Sequence, residues 1–192
     1  MKIVAALLAT GLLLTACERT PAEAPPSHYL SPVDTIPPSP IADPVLVHWM
    51  DGFCTAVHGY RNRAQREADP TRPTPGSVAE AQRELSADLG AMAARTGEVV
   101  AELDALPAAP VPVAETARRA FAAKFSKAHD RATAAKARLD RAKPGDQASQ
   151  APAAEALEQA QQDIEGTYDP VGAVTSSPEL MLAAENAPGC KA

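Results

Sequence analysis

A seven-residue hydrophobic repeat in the middle of the chain places the strongest constraint on its fold. Large apolar residues recur at every seventh position, at Val78, Leu85, Met92, Val99 and Leu106. Leu89 and Leu103 fill intermediate positions, and the polar residues Gln82 and Thr96 interrupt the series. A repeat of this period lines one face of a helix, and that face must pack against other helices. The segment therefore predicts a long helix inside a bundle.

Caps and prolines mark where the predicted helices begin and end. Ser77 and Glu80 have the spacing of a capping box, in which each side chain accepts a hydrogen bond from the other's backbone N–H. Pro144 and Gly145 should stop a helix, and Ser177 before Pro178 should start the last one. The predicted helices cover about residues 45–66, 78–106, 113–143, 149–168 and 178–186.

Each predicted helix has one apolar face suited to a core. In the first helix the face holds Leu46, Trp49 or Met50, Phe53, Val57 and Tyr60. The third helix has a seam of alanines that contains two aromatic residues, Phe121 and Phe125. In the fourth helix the face holds Leu157, Ala160, Ile164 and Tyr168.

Charge and the lack of strand patterns complete the fold prediction. The segment 115–143 carries nine Lys or Arg and three Asp or Glu, whereas the helices predicted before and after it are acidic. Complementary charges favour packing of the basic helix between the two acidic ones. Useful strand alternation is absent from the sequence. We expect an all-α fold, an antiparallel bundle of about four helices plus a short C-terminal helix, over residues 45–192.

The N-terminus has the pattern of an export signal. One lysine precedes an apolar run that is too short to span a membrane comfortably and ends at a cysteine. The residues Leu14-Thr15-Ala16-Cys17 resemble the lipobox of bacterial lipoproteins. The resemblance implies a signal peptide over 1–16, diacylglycerol and fatty acids such as palmitate on Cys17, and an extracytoplasmic protein anchored to the cell membrane. An ordinary secretory signal with a chance cysteine is the alternative.

Residues 17–44 read as a lipidated, Pro-rich, disordered tether between this anchor and the helical body. Eight prolines fall between Glu18 and Pro44, and they remove backbone donors and prevent regular helix or sheet. Fully extended, such a segment reaches at most about 80 Å. Its expected role is that of a spacer, and a Pro-rich ligand for another domain is the alternative.

Two cysteines remain after Cys17 is assigned to lipid. Cys54 lies in the first predicted helix and Cys190 lies near the C-terminus. An even pair in an exported protein is most simply a disulfide, here between Cys54 and Cys190. Two free thiols, or a metal or redox pair, are the alternatives, although no metal-ligand spacing accompanies either cysteine.

Candidate chemical sites are few, because the common catalytic and nucleotide-binding motifs are absent. His48, Asp51 and His58 lie close to one face of the first helix, where they could contribute to a metal or acid–base site or form a solvated polar surface. Acidic pairs in the fourth helix, Glu155 with Glu158 and Asp163 with Glu165, admit acid–base chemistry or simple solubilising charge.

Aromatic residues raise two further possibilities. The basic helix with Phe121 and Phe125 could bind an anionic polymer or lipid headgroup, or it could pair with the acidic helices. Trp49 could stack on a ligand or anchor the core.

A second resemblance covers most of the body. A helix that starts with Trp49 and Cys54, an Ala/Pro/Arg-rich helical middle and a Pro188-Gly189-Cys190 end look like small uncharacterised exported helical lipoproteins of high-GC actinobacteria. The resemblance implies a helical fold and no particular activity.

These observations predict a non-enzymatic, lipid-anchored cell-envelope protein that presents a helical surface to an envelope protein partner. The alternative is a small-ligand or lipid carrier, with a pocket between Ala-rich helices near Trp49, Phe121 and Phe125. An enzyme is the third hypothesis, which would require a buried cluster of titratable groups. We expect no catalytic residue, cofactor, bound metal or nucleic acid, since the acidic balance argues against nucleic-acid binding.

Overall fold

The structure is a computed structural model, and it describes residues 41–68 and 70–191. The predicted signal peptide over 1–16, the predicted lipidation of Cys17 and the predicted tether up to residue 40 lie outside the described residues. The described ranges form five α-helices without a strand: α1 Pro44–Glu67, α2 Val78–Asp104, α3 Pro112–Arg141, α4 Gln147–Asp163 and α5 Pro178–Asn186. Two short 3₁₀ turns, Gly172–Val174 and Pro188–Lys191, flank α5. The all-α prediction is confirmed.

Contacts between consecutive helices show that α1 to α4 are antiparallel. Along α1 and α2, Gly52 lies beside Leu106 whereas Arg63 reaches Glu98, so residue numbers rise in one helix and fall in the other. Along α3 and α4, Lys127 near the middle of α3 binds Asp163 at the end of α4. Together with α5, these helices form the predicted bundle.

The core is built from the predicted apolar faces, and alanine is its commonest residue. The predicted α1 face is buried, including both Trp49 and Met50. The α3 seam is buried from Ala114 to Leu139. Alanine side chains let helices approach closely while burying little area each, so the few aromatic residues supply much of the buried volume.

In α2 the best-buried row is displaced from the predicted repeat. The intermediate row of Gln82, Leu89, Thr96 and Leu103 is almost fully buried. Of the predicted row, Met92 and Val99 are buried but Val78 is 43% exposed. Val78 is the first residue of α2, and its side chain stays partly exposed although Gln150 of α4 donates to its carbonyl oxygen at 2.9 Å. The buried face therefore lies between the two rows, with both contributing.

Four predicted helix boundaries need correction, one of which is the end of α2 at Asp104 instead of residue 106. α4 begins two residues before Ser149 and ends at Asp163, well before residue 168. Gly166 then adopts a positive φ of 79°, and Tyr168 is 42% exposed in the loop that follows instead of lying in the core. α3 ends at Arg141 and not at residue 143.

The predicted capping box of α2 is half correct. Ser77 accepts a hydrogen bond from the backbone N–H of Glu80 at 3.2 Å. The Glu80 carboxylate accepts from Gly76 N at 2.8 Å, one residue before the expected donor. By contrast, α5 begins and ends as predicted, with the Ser177 hydroxyl accepting from Leu180 N.

Candidate functional site

The C-terminus is fastened to α1 by a covalent bond and two hydrogen bonds. Cys54 and Cys190 form a disulfide with their Cα atoms 4.9 Å apart, as the cysteine count predicts. Next to the bridge, Gly189 N donates to Asp51 Oδ1 at 2.7 Å. His58 Nδ1 lies 2.9 Å from Gly189 O, and because a carbonyl oxygen only accepts, Nδ1 carries the hydrogen. We call this set of contacts the C-terminal clamp.

Two of the three residues predicted to form a cluster on α1, Asp51 and His58, belong to the C-terminal clamp. Asp51 and His58 use their side chains to hold one backbone segment, and His58 is buried. His48 lies at the exposed edge, where it lines a surface depression with Asp51. Within the described residues there is no group of three His, Cys, Asp or Glu side chains placed to hold a metal ion. The spacing of Asp51 and His58 on α1 therefore places both side chains against Gly189.

The aromatic residues proposed to line an internal pocket fill the core instead. Trp49 stacks on Phe53 with their ring centroids 5.1 Å apart, and Phe53 meets the edge of Phe121 at the same distance. Tyr60 and Phe125 form a second pair at 5.6 Å. Each of these five side chains is at most 7% exposed. The Trp49 indole N–H has no hydrogen-bond partner among the described residues.

A surface groove lies between three of the helices. It has a volume of about 930 Å³ and runs between α1 and α4 over α2. Each helix contributes a pair of side chains four residues apart: Ala64 and Ala68, Ala87 and Ala91, and Leu157 and Gln161. We call this surface the α1–α4 groove, and residues four apart in a helix face the same way.

Two ion pairs flank the α1–α4 groove. Arg95 binds Glu67 and also lies over the ring of Tyr60, with its guanidinium carbon 5.9 Å from the ring centre. Arg72 binds Asp88 at 2.8 Å.

Burial is the main reason that the pKa of Tyr60 is raised, so its hydroxyl stays protonated at neutral pH and donates to the Met92 sulfur at 3.3 Å.

The basic helix α3 lies between α2 and α4, and part of its charge is paired with them. Lys127 and Arg131 both bind Asp163 of α4, at 2.8 and 2.7 Å. Arg118 lies 3.6 Å from Asp104 at the end of α2. Glu98 and Glu102 of α2 turn to α1, where both pair with Arg63, a partner that the charge pattern did not indicate.

The acidic pairs proposed for the fourth helix contain one buried side chain and three exposed residues. The Asp163 side chain is 3% exposed. Burial raises its pKa, but hydrogen bonds from Arg131 and Lys127 outweigh burial and hold the pKa below the ordinary value. Glu155, Glu158 and Glu165 are exposed. Asp163 therefore links α4 to α3, whereas the three glutamates are exposed to solvent.

Comparison with known proteins does not indicate a function, so a functional proposal has to rest on the α1–α4 groove and the C-terminal clamp. The chain matched no family model, no curated protein and no solved structure. Within the described ranges, no helix is both long enough and apolar enough to cross a bilayer.

Proposed function

We propose that the protein is a non-enzymatic, lipid-anchored component of the cell envelope that binds a helix of another envelope protein in the α1–α4 groove. Lipid on Cys17 would hold it outside the cytoplasmic membrane, and the Pro-rich segment would give it reach. The anchor rests on the resemblance of Leu14-Thr15-Ala16-Cys17 to a lipobox. The observation that carries the binding role is the shape of the groove.

The groove matches a helix because helical side-chain rows form its three sides. A ligand helix laid along α2 would meet Ala87 and Ala91 as its floor, and these side chains are small enough for close approach. Leu157 supplies apolar contact from α4. We expect the bound helix to present an apolar stripe of small and medium residues.

The ion pairs beside the groove suit a partner with charged edges. Glu67 and Asp88 are 50% and 39% exposed, so solvent reaches and screens their pairs with Arg95 and Arg72. A ligand helix that carries both charge signs beside its apolar stripe could exchange partners with them. Rim charges of this kind give specificity and faster association more than affinity.

Crosslinking in cells, followed by affinity purification of the anchored protein, tests this role. The test variant is Ala87→Arg, which places a long cation on the groove floor, and Ala134→Arg is its matched control on the exposed face of α3. We expect the Ala134→Arg variant to retain a specific envelope protein and Ala87→Arg to lose it by about tenfold or more. Equal recovery with both variants, or no specific partner at all, would contradict the groove proposal. A Cys17→Ser variant separates the contribution of the anchor.

The carrier alternative rests on a different surface from the one first expected. Phe121 lines a depression of about 380 Å³ with Pro112, Ala117 and Ala173, at the start of α3. An acyl chain could lie there, although Phe121 itself is only 6% exposed. Native mass spectrometry of the purified protein decides this point, since a carrier should retain a lipid or other small molecule in stoichiometric amount.

A further inference from the structure

The C-terminal segment covers the side of α1 that carries Cys54. This segment consists of α5 and the final turn, Pro188–Lys191. At this contact Cys54 is completely buried, and so is Met50, whose carbonyl oxygen lies 3.5 Å from Cys190 Sγ. The segment thus shields apolar surface of α1 around Met50 and Cys54 from solvent.

Without the disulfide, this cover is held by the packing of small side chains and by hydrogen bonds to α1. A nine-residue helix is too short to be stable alone in water. Leu180 is the only large side chain of α5 that is fully buried, and the others in its buried face are alanines. Apart from these, the clamp supplies the hydrogen bonds of Gly189 to Asp51 and His58.

The other partner of the bridge is held independently. α1 contacts α3 through the ring pairs Phe53–Phe121 and Tyr60–Phe125. It contacts α2 through Arg63, which pairs with two glutamates. When the bridge is broken, α1 therefore retains these contacts with α3 and α2, whereas the C-terminal segment loses its covalent attachment.

We propose that the C-terminal segment is a redox-sensitive latch on α1, docked while Cys54 and Cys190 are oxidised and released, with α2, α3 and α4 still folded, when a dithiol reduces the bridge. The proposal is independent of the groove and of the lipid anchor. Release would expose the apolar surface around Met50 and Cys54.

The difference in burial between the two sulfurs sets the order of the exchange. Cys190 is partly exposed in the last turn, whereas Cys54 is completely buried, so the incoming thiolate attacks Cys190 Sγ. A new S–S bond forms to Cys190, the old bond breaks, and its electron pair passes to Cys54 Sγ, which takes a proton. The second thiol of the dithiol then displaces Cys190 as a thiolate, which also takes a proton. The dithiol ends as a disulfide and the protein as two thiols.

Hydrogen exchange with mass spectrometry on the purified protein tests the latch, with dithiothreitol as the dithiol. We expect exchange over residues 178–191 to rise about tenfold or more on reduction, because the latch opens as a local unit. Exchange in α2 and α3 should change less than about twofold. No change over 178–191, or an equal rise throughout α2 and α3, would overturn the proposal.

Two further measurements test whether the effect comes from the Cys54–Cys190 disulfide itself. A Cys190→Ser variant should show the open-latch exchange pattern without dithiothreitol and should not respond to it. If that variant does not fold, reduction of the wild-type protein alone decides the matter. Brief treatment with glutathione, a monothiol, should trap its adduct on Cys190, and equal adducts on Cys54 and Cys190 would refute the assigned order of attack.

Discussion

At the residue scale, buried polar side chains serve to join segments that are distant in sequence. Gln82 donates to Leu139 O at 3.2 Å and accepts from Gly145 N at 2.7 Å, so one amide connects α2, the end of α3 and the following turn. Thr96 returns its hydroxyl to Met92 O within α2. A buried polar group costs free energy unless it is hydrogen-bonded, and these groups are. Polar residues that interrupt an apolar face can therefore be part of the core.

Gly189 offers the sharpest prediction at this scale. A Cβ atom there would lie 2.7 Å from Asp51 O and even closer to the Thr55 hydroxyl. Thr55 can rotate, but the Asp51 carbonyl belongs to the backbone of α1 and cannot. We expect Gly189→Ala to lower the free energy of unfolding by about 1–3 kcal/mol, measured by urea denaturation.

Gly76→Ala is the matched control for this substitution. Its added Cβ would meet only the Glu80 carboxylate, at 3.4 Å, which is ordinary contact. The change in unfolding free energy should stay within about 0.5 kcal/mol. If both alanine variants are equally stable, the close packing of Gly189 on α1 is wrong.

At the element scale, helix limits followed local signals where those signals were unopposed. Ser177 and Pro178 begin α5 as predicted, because a side-chain cap and a proline at the first position act within one turn. α4 was predicted too long since Ile164 and Tyr168 continue its apolar spacing. Ile164 is indeed buried, but from the turn after the helix, because Gly166 with positive φ ends the helical path. Spacing alone does not distinguish a helix from a loop that returns a side chain to the core.

Asp163 gives a pH-dependent prediction for the α3–α4 contact. Its pKa in the folded protein lies below the ordinary value of 3.8, so its contribution to stability is complete above about pH 4 and is lost as the pH falls through the lower folded value. At pH 7, Asp163→Asn should lower the free energy of unfolding by about 1.5–3 kcal/mol, since hydrogen bonds to Lys127 and Arg131 lose their charge. Urea denaturation of both proteins should show this difference shrinking as the pH falls below about 4.

Asp140→Asn is the control, because Asp140 also has a lowered pKa, from its hydrogen bonds to Lys136 and Ser86, but is 44% exposed. Solvent screens such a pair, so its effect at pH 7 should be smaller. A difference between wild type and Asp163→Asn that is constant from neutral to acidic pH would contradict the assignment.

At the scale of the whole molecule, α1 is the element that connects the parts. Phe53 packs on Phe121 of α3, Arg63 pairs with Glu98 of α2, and Cys54 forms the disulfide with Cys190. Since α1 and α4 stand apart over the small residues of α2, a groove remains between them. The same helix thus creates both the candidate binding surface and the site of the latch.

Placement of the whole molecule in the cell rests on Cys17. We expect a radiolabelled or alkyne-tagged fatty acid to be incorporated into the wild-type protein and not into Cys17→Ser, because only Cys17 has the lipobox context. Two or more acyl chains hold a protein at a membrane stably where one chain binds marginally. Cys190→Ser keeps Cys17 and should be labelled like wild type. Equal labelling of Cys17→Ser would overturn the anchor.

The sequence by itself determined the helical class, the number of helices, most of their limits and the disulfide pairing. These depend on local spacing, caps, prolines and a cysteine count, which act along the chain. Only the tertiary structure decided that Asp51 and His58 hold Gly189, that Arg63 pairs across to α2, and that side chains of α1, α2 and α4 line one groove. These contacts join residues far apart in sequence, and they depend on the angle and offset at which helices pack, which alanine-rich faces with few large side chains leave weakly specified.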